Sequence, residues 1–182
     1  MNKYDGEKAS RDIADARADG AEFIICYMHW GHKHEYETEV CDDQYKIADH
    51  LANSGVDLIL GSHTHSLQKF GNITTKDGKN VPVAYSLSNF STSDEINDTS
   101  HFTVIAAFTL KKENGKVIIK DVGYIPCYNF MAIRGMANVI IPCDTVTDEP
   151  EVKNKLAEAS KYIKNIIGDT APLRFSDHFD TR

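Results

Sequence analysis

The sequence predicts an α/β fold, and three features of the chain point to it. Two nearly continuous apolar runs of strand length occupy residues 22–28 and 56–60. Between them, residues 42–53 place apolar side chains at helical intervals. Apolar runs of this kind suit strands that are covered on both faces, as in a parallel sheet. Strand, helix and strand in such close succession form a βαβ unit with a right-handed crossover.

The elements around this unit follow in order along the chain. Residues 7–19 are typical of a short polar helix, which Gly20 ends in the usual position after the last turn. Gly55 ends the helix of the βαβ unit in the same way. Asp77-Gly78 marks a turn before a short strand at 81–86, in which Pro82 favours the start of the strand or a sheet edge.

The last third of the chain predicts strands and one long helix. The expected elements are a β-hairpin of strands 102–111 and 116–125 around Glu113-Asn114-Gly115, a strand at 139–141, and a helix at 151–167 that Gly168 closes. We expect a single domain over residues 1–168 and a tail over 169–182, where the hydrophobic pattern fades.

Composition narrows the classes of partner. The 182 residues carry a formal charge of −7, which argues against nucleic acid, because neutralising a phosphate backbone requires clustered Lys and Arg. No stretch reaches the roughly 18 consecutive apolar residues of a membrane-spanning helix. Acidic residues within the first 20 positions argue against a secretory signal.

The four cysteines match no zinc module and predict buried free thiols, with disulfides as the alternative; they are Cys26, Cys41, Cys127 and Cys143.

Histidines follow both strands of the predicted βαβ unit. His29 ends the first strand, and Gly61-Ser62-His63-Thr64-His65 follows the second. Parallel strands end at one edge of a sheet, where ligands of α/β proteins bind. Three imidazoles at such an edge suit Zn, Mn or Fe. We expect Gly61 to give the sharp exit from the strand. The alternative is that these are ordinary solvated histidines.

Other histidines are weaker candidates. His32 and His34 lie close to His29 and are rival ligands, although an exposed loop is the simpler interpretation. His50 falls on the predicted helix, away from the strand ends. His101 and His178 have no chemical context in the sequence.

A series of short motifs over residues 8–110 resembles the CapA proteins of bacterial capsule and poly-γ-glutamate synthesis. The motifs are His29-Trp30-Gly31, Glu35-Tyr36, Gly61-Ser62-His63-Thr64-His65, Leu67-Gln68 and Tyr85-Ser86-Leu87-Ser88-Asn89-Phe90. The resemblance implies the C-terminal half of a calcineurin-like metallophosphoesterase sandwich, made of the βαβ unit, the β-hairpin and the C-terminal helix.

The resemblance also implies roles for individual residues. The metal ligands would be His29, His63 and His65, in a binuclear site of Mn, Fe or Zn in which the first two hold one metal and His65 the other. Ser62 and Thr64 would hydrogen-bond phosphate oxygens. The catalytic candidates are Asn89 and Glu35. Additional residues separate His-Trp-Gly from the following helix, so the match of Glu35 to the family's motif stays open. Thr64 stands where proline is frequent in the family, and Ser88 where glycine is usual, which predicts no positive φ at Ser88.

The implied function is a phosphoesterase-type domain in the synthesis or export of an anionic surface polymer. Its ligand would be that polymer or a phosphate ester, and its partners would be membrane synthase components. The protein would be associated with the membrane at the bacterial cell surface. The family's upstream Asp-rich and Asn-His motifs do not occur before His29, so we expect about half of a metal site and little phosphatase activity. The alternatives are a non-catalytic subunit that binds the polymer or the synthase, and a metal-binding module completed by another chain.

Overall fold

The structure is a computed structural model, and it describes residues 4–31, 38–90, 98–130 and 138–173. Its first sheet contains the βαβ unit. The elements in chain order are α1 (Gly6–Ala18), β1 (Ile25–His29), α2 (Asp42–Asn53), β2 (Leu58–Ser62), β3 (Phe70–Thr74) and β4 (Asn80–Ala84). The strand order is β1-β2-β4-β3. β1, β2 and β4 run parallel, and β3 runs antiparallel to β4.

The second sheet is antiparallel. It contains β5 (Phe102–Glu113), β6 (Lys116–Phe130) and β7 (Val139–Pro142), in the order β5-β6-β7, and α3 (Pro150–Ile167) packs on β5 and β6. Asn114 and Gly115 both have positive φ, as a tight hairpin turn requires. The predicted α/β class is therefore confirmed, with its βαβ unit, its β-hairpin and its C-terminal helix.

β3 is the strand that the sequence analysis did not predict. Phe70-Gly-Asn-Ile-Thr74 holds few apolar residues, and of these five only Phe70 is fully buried. β3 nevertheless pairs with β4 along its whole length, on either side of the predicted turn at Asp77-Gly78. Pro82 lies in an inner strand rather than at an edge. β2 pairs with β4 only at Val83 and Ala84, so the missing N–H of Pro82 removes no bond from that ladder.

Two apolar clusters form the core. One lies where α1 and α2 cover the first sheet, and its buried members include Ile13, Ala48, Leu51, Val56 and Ile59. The other joins the two sheets and α3, with buried members that include Leu67, Phe70, Tyr124, Leu156 and Ile163. The first sheet is thus covered on both faces over much of its area, as its apolar strands predict.

The outer strand β1 leaves part of one face open. Within the described residues β1 pairs with β2 alone, and the exposed fractions of Ile25 and Tyr27 are 53% and 64%. Ile25 lines an apolar groove of about 720 Å³ between the two sheets, together with Leu60, Leu87 and Phe108 among others.

After α3 the described chain returns to β6. The N–H of Leu173 donates to the carbonyl of Tyr124 at 2.8 Å, and Pro172 forms an isolated parallel bridge to the same residue. The domain boundary at Gly168 stays a prediction, and residues 174–182 lie outside the described ranges. In the part of the chain that the structure describes, no helix is both long enough and apolar enough to cross a bilayer.

Candidate functional site

The carboxyl ends of β1 and β2 meet at one edge of the first sheet, where His29 pairs with Ser62 in register. The imidazole rings of His29 and His63 lie with their centroids 4.2 Å apart and their planes 44° apart. The parallel pairing explains this contact, because it places the last residue of β1 beside the first residue after β2. Two of the three predicted ligands therefore share this edge, and their role as metal ligands stays a prediction.

The third imidazole, that of His65, lies against Asn89. Its Nδ1 is 2.7 Å from Asn89 Oδ1. The backbone turns after β2 through two non-glycine residues of positive φ, +104° at His63 and +53° at His65. Such angles are uncommon outside glycine, cost of order 1–3 kcal/mol each, and cluster at functional sites. Thr64, between the two histidines, is 3% exposed.

Gly61 is required for a reason other than the one we expected. It lies within β2, and the turn comes two residues later. A Cβ at Gly61 would lie 2.0 Å from the carbonyl oxygen of Tyr85 and 2.4 Å from Nε1 of Trp30. Trp30 Nε1 donates to that same carbonyl at 2.8 Å. The glycine therefore allows the indole and the backbone just after β4 to meet across the end of β2.

The two hydroxyl groups predicted to contact phosphate make bonds within the protein. The buried hydroxyl of Thr64 donates to the carbonyl of Ser66 at 2.9 Å, and Ser86 Oγ also lies 2.9 Å away. The half-buried hydroxyl of Ser62 donates to the carbonyl of Met28 at 3.2 Å. A phosphate contact by either hydroxyl stays a prediction, and it would require these bonds to be exchanged.

The segment from Tyr85 to Phe90 lies directly against the loop that carries the histidines. Leu87 N–H donates to the carbonyl of Gly61 at 3.2 Å, and Gln68 N–H donates to the carbonyl of Ser86 at 3.1 Å. The prediction for Ser88 was wrong, because its φ is +65°. Serine here takes the left-handed conformation that glycine adopts at lower cost.

Asn89 connects the site to the second sheet, and it is 3% exposed. Besides its contact with His65, its Nδ2 donates to the carbonyl of Ser100 at 3.4 Å. Asn129 Nδ2 donates to the backbone carbonyl of Asn89 at 3.4 Å. The sequence analysis missed Ser100 and Asn129. An amide amid the apolar residues of 124–130 was a usable signal for Asn129, because a buried amide needs hydrogen-bond partners.

A buried pair of glutamines fixes the start of α2 next to this loop. Gln68 belongs to one of the motifs found in the sequence, whereas Gln44 was missed. Gln44 Nε2 donates to Gln68 Oε1 at 2.8 Å, and Gln68 Nε2 donates to the carbonyl of Glu39 at 2.8 Å. Gln44 Oε1 also accepts from the N–H of Cys41 at the start of the helix. Next to Gln44 in the first turn of α2, the ring of Tyr45 lies 5.3 Å from that of Tyr85. Burial and this neighbouring phenol raise the pKa of Tyr85 to about 12.

The described residues fit part of a transition-metal site. Within the described ranges, no group of three or more His, Cys, Asp or Glu side chains is arranged to hold a metal. The touching rings of His29 and His63 supply two imidazoles, whereas protein zinc sites normally use three or four protein ligands. The candidates Glu35, His32, His34 and His178 lie outside the described residues.

The fold and this edge define an α/β domain with paired imidazoles at the carboxyl ends of adjacent parallel strands. The chain belongs to the family described as bacterial capsule synthesis protein PGA_cap, whose model matches residues 1–94. This match confirms the membership that the motifs predicted. It includes the histidine loop and the segment from Tyr85 to Phe90.

Two relatives carry related names. The chain is 33% identical over 76 residues to the "Capsule biosynthesis protein CapA" of Bacillus anthracis, a match that covers 42% of this chain and 17% of that protein. It is 33% identical over 70 residues to the "PGA biosynthesis protein CapA" of Bacillus subtilis strain 168, covering 38% of this chain and 17% of that protein. The matched stretches thus span about a sixth of the length of each relative.

A solved structure, the calcineurin-like phosphoesterase YfkN from Bacillus subtilis, aligns with 87% of this chain and 43% of its own. The sequence identity is 18% and the TM-score is 0.35. A likeness at this TM-score carries no weight for the fold.

Proposed function

We propose that this chain contributes metal-binding residues to a calcineurin-like phosphoesterase-type domain that acts in the synthesis or export of an anionic capsule polymer such as poly-γ-glutamate. The observation that carries the proposal is the pair of imidazoles, His29 and His63, 4.2 Å apart at the ends of parallel strands. The names of the two CapA relatives support the biological role. A cell-surface location beside membrane synthase components belongs to the same proposal.

Each residue at the edge has a part in this function. His29 and His63 bind one divalent ion of Mn, Fe or Zn, and His65 contributes to a second. When bound, such ions neutralise charge on a phosphate ester and lower the pKa of a water molecule. Trp30 and Gly61 hold the strand ends in place. Ser62 and Thr64 are the proposed phosphate contacts, and Asn89 and Glu35 the remaining candidates.

Metal content tests the proposal directly. The purified chain is loaded with Mn or Zn, dialysed and measured by mass spectrometry beside a His63→Ala, His65→Ala double variant. We expect near-stoichiometric metal in the parent and its loss in the double variant, because both imidazoles at the loop are removed.

His50→Ala is the matched control. His50 lies in the last turn of α2 and bonds to Tyr4 and to the hydroxyl of Ser10, the latter at 3.2 Å. This variant should retain the metal. A parent chain without metal, or a double variant that binds as much as the parent, would contradict the proposal.

A second candidate function is a non-catalytic subunit that binds the polymer or the synthase. The hydrogen bonds that the hydroxyls of Ser62 and Thr64 make within the protein favour it, because the proposed phosphate contacts would have to exchange them. Poly-γ-glutamate binding, measured by calorimetry in EDTA, separates the two. Binding that persists in EDTA and in the double variant supports the non-catalytic function. Phosphatase turnover with Mn that is lost in the double variant supports the first, although we expect little turnover from this chain alone.

A further inference from the structure

We propose that Asn89 is a positioning residue that holds the imidazole of His65 as its Nδ1–H tautomer, which leaves the basic lone pair of the ring on Nε2. The use of that lone pair for a metal rests on the proposed function. The tautomer itself does not, because it follows from hydrogen bonds within the described residues.

The contact between the two side chains is short but leaves the direction of the bond open. His65 Nδ1 lies 2.7 Å from the amide of Asn89. A neutral ring nitrogen either donates to an amide oxygen or accepts from an amide NH₂ group. The orientation of the Asn89 amide therefore decides which nitrogen of His65 carries the proton.

The carbonyl of Ser100 fixes that orientation. A carbonyl oxygen only accepts hydrogen bonds, and it lies 3.4 Å from the other end of the Asn89 amide. Rotating the amide by 180° would place two acceptor oxygens against each other. Asn89 is 3% exposed and Ser100 fully buried, so bulk water cannot compensate for that loss. This orientation turns the oxygen of Asn89 toward His65, where it accepts from Nδ1–H of the ring.

The second sheet holds the Asn89 backbone in place. Asn129 of β6, which is fully buried, donates from Nδ2 to the carbonyl of Asn89 at 3.4 Å. The hydroxyl of Thr103 in β5 donates to the carbonyl of Leu87 at 3.0 Å. His65 is therefore oriented from the β5-β6 hairpin, which carries none of the proposed ligands.

This arrangement has a chemical consequence. A free neutral imidazole in water favours the Nε2–H tautomer, which offers Nδ1 as its basic nitrogen. The Asn89 contact reverses this preference at His65. Partners that orient a ligating histidine through its other nitrogen typically change metal affinity 10–100-fold when they are removed.

Nitrogen NMR of the ¹⁵N-histidine-labelled chain tests the tautomer. Two-bond proton–nitrogen correlations at pH 8, where an ordinary imidazole is neutral, distinguish Nδ1–H from Nε2–H, and His65→Gln identifies the signal of His65. We expect Nδ1–H at His65 in the parent, a shift toward Nε2–H in Asn89→Ala, and Nδ1–H retained in Asn89→Asp, which keeps an acceptor oxygen. Unchanged signals of His50, which bonds to Tyr4 and Ser10, show that the variants are folded.

Two outcomes would overturn the proposal: an Nε2–H ring at His65 in the parent, or no change of tautomer in Asn89→Ala. The parent spectrum decides the first even if a variant fails to fold. Zinc titration supplies a separate readout, in which Asn89→Ala should bind 10–100-fold more weakly than the parent. A parent that binds no zinc would count against the proposed function and leave the tautomer result standing.

Discussion

At the scale of single residues, the carboxyl edge of the first sheet depends on close approach rather than on flexible backbone. Gly61 leaves room for the indole of Trp30 and the carbonyl of Tyr85 at the end of β2. The turn itself falls on His63 and His65, both with positive φ. Two of the three proposed ligands therefore carry the backbone strain of this turn, and functional sites are where proteins tend to retain such strain.

Gly61→Ala should destabilise the chain by about 3 kcal/mol or more, because the added methyl group would lie 2.0 Å from a backbone oxygen that cannot move without shifting β4. Urea unfolding followed by circular dichroism measures the free energy of unfolding. Gly71→Ala is the matched control, since its Cβ would have no neighbour closer than 3.8 Å. Equal stability of the two variants would show that the packing at Gly61 is looser than described.

At the scale of elements, Asp57 joins α1 to three strands of the first sheet. It is 9% exposed, and its Oδ2 accepts from the N–H of Ile24 at 2.7 Å and from the guanidinium of Arg17. Its Oδ1 accepts from Lys79 Nζ at 2.6 Å. Through these bonds one carboxylate holds the end of α1 and the starts of β1, β2 and β4 together.

Asp57→Ala should lower the free energy of unfolding by about 2 kcal/mol, because hydrogen bonds to charged groups contribute about 1.5–3 kcal/mol and both cationic partners remain partly in water. Asp12→Ala is the matched control. Its ion pair with Lys8 is more than half exposed on both sides, so its loss should cost less than about 0.5 kcal/mol. A similar cost for both variants would mean that the Asp57 contacts add nothing beyond a surface pair.

The elements that the sequence predicted share a local signal, and those it missed depend on partners far along the chain. β1, β2 and α2 show apolar runs or helical spacing, and their parallel order places His29 beside His63. β3 has no such run and is defined by pairing with β4. Ser100 and Asn129 meet Asn89 only through tertiary packing. The φ angle of Ser88 is likewise set by the contacts of its loop rather than by residue type.

At the scale of the whole molecule, the buried thiol of Cys127 in β6 and the partly buried thiol of Cys143 just after β7 couple stability to alkaline pH. Of the four cysteines predicted to be buried, only Cys127 is fully buried. Burial raises the pKa of Cys127 to about 12, and burial together with the nearby Cys127 raises the pKa of Cys143 to about 12. All four cysteines are free thiols. A cysteine in the unfolded chain has a pKa of about 8.5. Between these values the folded state keeps protons that the unfolded state has lost, so stability falls as pH rises.

The free energy of unfolding should therefore decrease steadily from about pH 9 to about pH 12, and a Cys127→Ala, Cys143→Ala variant should show a shallower decrease. Tyr85, whose pKa is also raised to about 12, contributes to the pH dependence that remains in the variant. Urea unfolding midpoints at a series of pH values measure this dependence. Ile163→Val, a buried change without a thiol, should lower stability and leave the slope as in the parent. Parallel curves for parent and double variant would refute the coupling.

The position of Trp30 gives this molecule an intrinsic optical probe of its own site. It is the single tryptophan of the chain, 5% exposed, stacked at 5.9 Å on Tyr85 and adjacent in sequence to His29. Indole emission moves to longer wavelength when the ring meets water. Any ligand that moves the ends of β1 and β2 closer together or further apart will therefore shift the wavelength of the tryptophan emission, without an added label.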